Sequence, residues 1–324
     1  MRADHLAYAY GAAIGFLCDR ATGDPRRGHP VAAFGRAAGA VERGLWGDDR
    51  ARGALHTVLC AGGAVLGGAL LTRAVRRPSA ALAGEVALTA AATWAVLGGT
   101  TLGREAQAIG AALATGDIAA ARAALPRLCG RDPQALDAQQ IARAVVESVA
   151  ENTSDAVVGA LVWGAVGGVP GLLGFRAVNT LDAMVGHKSA RYRRFGWAAA
   201  RLDDVAGWPG ARLTAAIAAL AGPDPRGACR VVRSDAGSHP SPNAGPVEAA
   251  FAGALGVRLG GTLAYAGRVE HRPVLGAANR PVQVADIERA VRLSRRVSTL
   301  ALVVSVAGRL AYGAATVGTH QGER

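Results

Sequence analysis

Glu147, Glu151 and Asp155 recur every fourth residue in the stretch 143–155. Read as a helix, that spacing puts the three carboxylates along one face, while Val145, Val146, Val149 and Ala150 cover much of the rest. Uncompensated like charges at this spacing cost about 0.2–0.5 kcal/mol per pair, so a cation belongs against the stripe. One candidate is a divalent metal bridging a nucleotide phosphate. Magnesium takes one or two carboxylate oxygens and fills its other positions with phosphate and water. The other candidates are a substrate, or an arginine such as Arg143 on an otherwise solvated face. Asn152, Thr153 and Ser154 add uncharged polar groups at the mouth of the apolar run that follows.

Cations that suit a phosphate lie further along. Of the 36 basic residues only Lys188 is a lysine. Its compact ammonium can pair with phosphate and can deprotonate when desolvated, neither of which arginine imitates. Arg191, Arg193, Arg194 and Arg201 can hold phosphate or carboxylate groups, although Arg193 and Arg194 serve equally well as charges flanking a membrane segment. Asn179 and Asp182, three apart, share a helix face or flank a turn, with Asn179 or Thr180 as a cap in the simpler reading. Asp203 and Asp204 point about 100° apart on a helix, so one faces a ligand and the other pairs with Arg201 or Arg212. Asp24 and His29 sit in the loop Gly23–Pro30 and read as a turn residue and a cap, or as ligand contacts. Asn243, in Pro242-Asn243-Ala244-Gly245, has a turn signature. There is no phosphate-binding glycine loop, serine-nucleophile elbow or paired-histidine zinc motif. Cys18, Cys60, Cys129 and Cys229 lack the spacing of a zinc site or disulfide framework and read as small buried residues.

The chain that positions these groups has 324 residues, 51% hydrophobic and only 5% aromatic, with 44 glycines. Close helix packing through small residues follows, more than a bulky core. A net charge of +12 would suit nucleic acid, but the arginines are dispersed and too few aromatics accompany them to stack bases. They flank apolar runs instead, as in the positive-inside pattern of membrane proteins. Candidate spans are 5–18 (short, and only partly embedded), 54–72, 80–102, 156–175 and 297–317, against the ~20 residues a crossing needs. Arg73, Arg76, Arg77 and Pro78 end the second. The first has no cleavage site and is expected to be retained. Gly167-Gly168-Val169-Pro170-Gly171 breaks the fourth, so it crosses or dips in and returns. A return would leave the motifs on either side of it on one face, which their shared chemistry favours.

Elsewhere, 118–125 and 135–146 read as amphipathic helices, with Asp117 capping the first. A short helix is expected at 211–221 after Trp208-Pro209-Gly210. Another covers 247–259, closed by Gly260-Gly261, and a charged helix covers 286–296. The expectation is a mainly α, multi-pass membrane protein, one integral-membrane domain over 1–324, whose polar helical and loop segments form an active site at the membrane surface.

Taken in order, Gly23-Asp24-Pro25 with His29-Pro30-Val31, Glu147 to Asp155, Asn179 to Gly186, Phe195-Gly196-Trp197, Ala200 to Asp204, and Ser241 to Gly245 resemble the CbiB/CobD family of cobalamin biosynthesis, the adenosylcobinamide-phosphate synthases. The resemblance covers residues 15 to 276. One departure is that Pro246 directly follows Gly245, where an aromatic residue is expected first. The family resemblance implies an enzyme of the inner (cytoplasmic) membrane with its active site facing the cytoplasm. Its implied reaction is ATP-dependent amide ligation of a corrinoid, adenosylcobyric acid, with (R)-1-amino-2-propanol or its O-phosphate. Implied partners are those corrinoid and amino-alcohol substrates, membrane lipid and other cobalamin-pathway membrane enzymes, with no nucleic acid.

That chemistry gives the residues candidate roles. Glu147, Glu151 and Asp155 would hold magnesium. Lys188, Arg191 and Arg201 would meet phosphates, with Asp24, His29, Asn152, Asn179 and Asn243 as further substrate contacts. Asp182 or Asp203 would take the proton of the amine. Two other functions compete. A magnesium-dependent prenyl- or alcohol-phosphotransferase would need the i, i+4 aspartate sets that are missing here. A transporter or scaffold would carry mid-span charges, of which Arg309 is the one example.

Overall fold

Uncharged, alanine-rich runs in lipid leave backbone amides no partners but one another, which drives them into helix. The computed structural model describes residues 3–25, 28–76, 81–130, 132–134, 136–265 and 268–321. Its helices begin α1 (Ala3–Thr22), α2 (Pro30–Leu45), α3 (Arg50–Val75), α4 (Ala81–Val96), α5 (Gly99–Ala114) and α6 (Ile118–Ala124). They continue α7 (Ala138–Thr153), α8 (Gly159–Leu181), α9 (Trp197–Ala221), α10 (Pro225–Asp235), α11 (Ala244–Leu255) and α12 (Ala285–Gln321). Strands β1 (Val257–Tyr265), β2 (Arg268–Leu275) and β3 (Arg280–Pro281) form a small sheet between α11 and α12. Among the described residues four helical stretches, Arg50–Val75, Ala81–Ala114, Ala138–Gly186 and Ala285–Ala315, are long and apolar enough to cross a membrane. Leu55, Val58, Leu59, Leu66 and Leu70 project from α3 into the surroundings, the pattern of a lipid-facing helix. The protein is a mainly α-helical, multi-pass membrane protein, as its sequence predicts.

Its residues divide into two compact units. The first comprises 1–98, 156–207 and 301–324. Here α1 packs on α4 at close range, because Gly11 and Gly15 carry no side chain: a Cβ on Gly11 would fall 2.5 Å from Thr89 Cβ. Asp49 caps α3 by accepting the Arg52 N–H at 3.0 Å, and that bond holds its carboxyl below the usual carboxylate range. The segment predicted at 156–175 does not cross in one pass. Gly168 adopts φ 61°, ψ −144° inside α8, a conformation that only glycine enters readily. The chain there reverses. A Cβ on Gly164 would lie 2.8 Å from Leu172 Cδ2, Gly159 abuts the Phe175 ring, and Gly171 abuts the Trp163 carbonyl. The two limbs of α8 therefore run antiparallel as a re-entrant hairpin. Arg309 Nη1 donates to the Ala165 and Val166 carbonyls at 3.0 and 3.1 Å and so caps the end of the first limb.

Other boundaries move as well. The span expected at 80–102 falls within the apolar stretch Ala81–Ala114, where helix pauses between Val96 and Gly99, because Gly98 and Gly99 together weaken helix. The short helix expected at 211–221 is the end of α9, which runs through Pro209. The helix and span expected at 286–296 and 297–317 are one continuous α12. Arg77 and Pro78 lie outside the described residues.

The second unit comprises 99–155 and 208–300. Its α7 starts at Ala138, later than the helix expected from residue 135, a position outside the described residues. Asp137 fixes the start with a reciprocal capping box: it accepts the Gln140 N–H at 2.8 Å, and Gln140 accepts the Asp137 N–H at 2.9 Å. Asp137→Ala is expected to cost about 1 kcal/mol of stability, read as a lower thermal midpoint in detergent. The helix expected over 247–259 ends at Leu255, where Gly256 (φ 65°) supplies a left-handed cap. Gly260 and Gly261 do not close it. They sit at an irregularity in β1, between Leu259, which pairs with Leu275, and Gly261, which pairs with Arg272 of the antiparallel β2. Ile141, Val145, Val146, Phe251 and Leu259 are buried together in this unit. The expectation of buried cysteines holds for Cys60, whereas Cys18 and Cys229 are exposed.

Candidate active site

The nominated residues fall into two sets, one in each unit. In the first unit the second limb of α8 ends in a wide π-turn, Asp182–Gly186. One turn before it, Asn179 accepts a long hydrogen bond from Arg176 Nη1 and donates another to Asp203 Oδ1, each at 3.4 Å. Its neighbour Asp204 pairs with Arg201 at 3.4 Å. The adjacent aspartates therefore divide as their 100° separation predicts, Asp203 toward Asn179 and Asp204 toward Arg201. Asp24 Oδ2 lies 3.6 Å from His29 Nε2. His29 Nδ1 also accepts the Val31 N–H at 3.1 Å, so it caps α2.

The three nominated cations differ in how committed they are. Arg191 Nη2 donates to Glu42 Oε1 at 3.1 Å and its guanidinium stacks 4.5 Å from the Trp46 ring. The Tyr192 hydroxyl, which also donates to Glu42 at 2.9 Å, and the Glu42 carboxylate hold Arg191 still more firmly protonated. Arg201 has Asp204. Lys188 is exposed, directly after the π-turn, and has no ion pair among the described residues. It is the nominated cation left open to an incoming phosphate.

Arg176 and Glu42 were not singled out in the sequence. Arg176 orients Asn179 and, with Thr180, provides the polar rim of an apolar cavity of about 180 Å³ lined also by Phe34, Val96 and Leu173. That volume is below the roughly 300–1,000 Å³ of most small-ligand pockets. Its position as the first charge after the uncharged run 156–175, three residues before Asn179, is the signal that identifies it.

In the second unit the acidic stripe divides. Glu147 is buried, accepts the Gly260 N–H at 2.7 Å and lies 3.9 Å from Arg143 Nε. Its carboxylate ties α7 to β1. Glu151 is exposed, and Asp155 is half-buried at the start of the π-turn 154–158. Among the described residues no group of three or more His, Cys, Asp or Glu side chains is arranged to hold a metal ion. A three-carboxylate cage is not what the stripe forms. Two accessible carboxylates still fit a magnesium ion that arrives with phosphate, which needs only one or two from the protein. Asn152 donates to the Ser148 carbonyl at 2.9 Å and its hydroxyl at 3.2 Å. Asn243 is buried at the start of α11, and nearby His239 Nε2 lies 3.8 Å from Glu248 Oε1, both also buried. Glu147→Gln is expected to lower stability while leaving the magnesium dependence of activity unchanged. Glu151→Gln is expected to raise the magnesium concentration needed, which a magnesium titration of both variants separates.

The fold is that of an integral-membrane protein, and in its first unit Asn179, Asp182 and Lys188 cluster where the second limb of the re-entrant hairpin ends. The chain belongs to the CobD/CbiB family: the model of the family described as CobD/Cbib protein matches residues 12–294. A cobalamin biosynthesis protein CobD of Mycobacterium tuberculosis is 53% identical over 302 residues, covering 92% of this chain and 95% of the relative. Those of Chromobacterium violaceum (42%, covering 93% and 96%) and Rhodobacter capsulatus (41%, covering 84% and 86%) bear the same name. No solved structure matches the chain.

Proposed function

We propose that this chain is the cobalamin-pathway enzyme that joins adenosylcobyric acid to (R)-1-amino-2-propanol or its O-phosphate, with ATP as the energy source. Membership of the CobD/CbiB family supports the pathway, and Lys188, exposed beside the Asn179–Asp182 helix end and without an ion pair among the described residues, carries the reading to phosphate chemistry. A carboxylate is a poor electrophile. The corrinoid carboxylate would attack the γ-phosphorus of ATP, with ADP leaving, and the amine nitrogen would then displace phosphate and lose a proton.

Phosphoryl transfer asks the protein chiefly for positioning and charge neutralisation. Lys188 supplies positive charge to the transferred phosphoryl group. Asp182 or Asp203 takes the amine's proton, Asp203 being oriented for this by Asn179. Glu151 and Asp155 would hold magnesium, which when bound neutralises phosphate charge. The enzyme would lie in the cell membrane with the helix end that carries Lys188 toward the cytoplasm, where ATP is available.

The test is conversion of adenosylcobyric acid by membranes containing the protein, with ATP and each amine in turn. Formation of the amide with aminopropanol or its phosphate, and little with ethanolamine, is expected. No amide with any of the three amines counts against the proposal.

A further inference from the structure

The first unit holds a second, larger cavity of about 420 Å³ at the tip of the re-entrant hairpin. Gly167, Gly168 and Pro170 form one wall, and Arg73, Arg76, Glu85, Asp4 and Arg309 line the rest. It lies at the opposite end of this unit from Asp24, Asn179 and Lys188. Helix direction shows this: α4 carries Glu85 at the cavity and ends beside Gly98, whose Cβ position is 3.7 Å from Asp24 Oδ2. The second α8 limb likewise runs from the cavity at Val169 to Asn179, roughly 15 Å at 1.5 Å per residue. None of the residues nominated for catalysis lines it.

Its charges do not cancel. Arg76 pairs with Glu85 at 2.9 Å and Arg309 with Asp4 at 3.0 Å. That leaves Arg73, exposed and with no ion pair among the described residues. The carbonyls ending the first hairpin limb are already capped by Arg309, whereas the amino end of the second limb faces the cavity and adds partial positive charge. The cavity thus selects an anion. Within one helical turn of the lining residues Ala69, Glu85 and Arg309, apolar side chains are exposed: Leu66 and Leu70 on α3, Leu82 on α4 and Tyr312 on α12. A ligand that satisfies both features has an anionic head and hydrocarbon tails.

We propose that this cavity binds the phosphate headgroup of an anionic phospholipid, with Arg73 as its ion-pairing group and the exposed leucines against its acyl chains. The inference is independent of the ligation chemistry. Wild type, Arg73→Glu and Arg73→Lys, purified in mild detergent, would be compared by native mass spectrometry and by thermal shift with added phosphatidylglycerol, phosphatidylcholine or inorganic phosphate. Wild type and Arg73→Lys are expected to retain an anionic phospholipid and to be stabilised by phosphatidylglycerol. Arg73→Glu, altered at an exposed position and so expected to fold, should bind phosphatidylglycerol at least about fivefold more weakly, the equivalent of the roughly 1 kcal/mol that one basic side chain near anionic lipid contributes. Equal retention by wild type and Arg73→Glu, or stabilisation by inorganic phosphate or phosphatidylcholine as great as by phosphatidylglycerol, overturns the proposal.

Discussion

Replacing Lys188 with alanine is expected to lower kcat at least a hundredfold, with a smaller change in KM for the corrinoid. Removing one well-placed group that meets charge developing in a transition state costs about 2.7–4 kcal/mol in comparable sites. Arg191 and Arg201 cannot take over, because Glu42 and Asp204 already occupy them. Lys188→Arg should recover only part of the loss, since a planar guanidinium does not reproduce a compact ammonium. Steady-state kinetics with ATP varied gives the readout. An alanine variant with wild-type kcat would remove Lys188 from phosphate chemistry. Because the side chain is exposed and makes no ion pair among the described residues, the variant's thermal midpoint should stay near that of wild type.

The hairpin turn should be even less tolerant. Gly168→Ala forces a Cβ into φ 61°, ψ −144°, a strain of about 1–3 kcal/mol. Gly171→Val adds bulk where even a Cβ would overlap the Trp163 carbonyl, so the limbs must part and the cost should exceed 3 kcal/mol. Both variants are expected to accumulate poorly and to unfold at lower temperature in detergent. Gly167→Ala is the control, since a Cβ there meets nothing within 4 Å and needs no positive φ. Equal stability of Gly171→Val and Gly167→Ala would contradict the re-entrant geometry.

The sequence disclosed features whose cause is local. Gly167 to Gly171 announced a break in an apolar run, since glycine and proline act on the backbone where they stand, and the reversal at Gly168 follows. Asp117, which accepts the Ala120 N–H at 2.9 Å, was likewise legible as a cap. Partners remote in sequence were not. Glu147 looked equivalent to Glu151 until Gly260, 113 residues away, was found donating to it. Arg191 looked free until Glu42, 149 residues away, was found beside it. The strands after α11 escaped notice because Gly260-Gly261 imitates a helix stop, while the glycine that ends the helix, Gly256, lies one turn earlier.

The most direct measurement is the stoichiometry of the reaction in proteoliposomes containing the purified protein, adenosylcobyric acid, aminopropanol phosphate, magnesium and ATP. One ADP and one additional phosphate are expected per amide formed, with both product and ADP production abolished when either organic substrate is omitted. Amide formation without ATP consumption, or ATP hydrolysis that never yields amide, would contradict an ATP-dependent ligase.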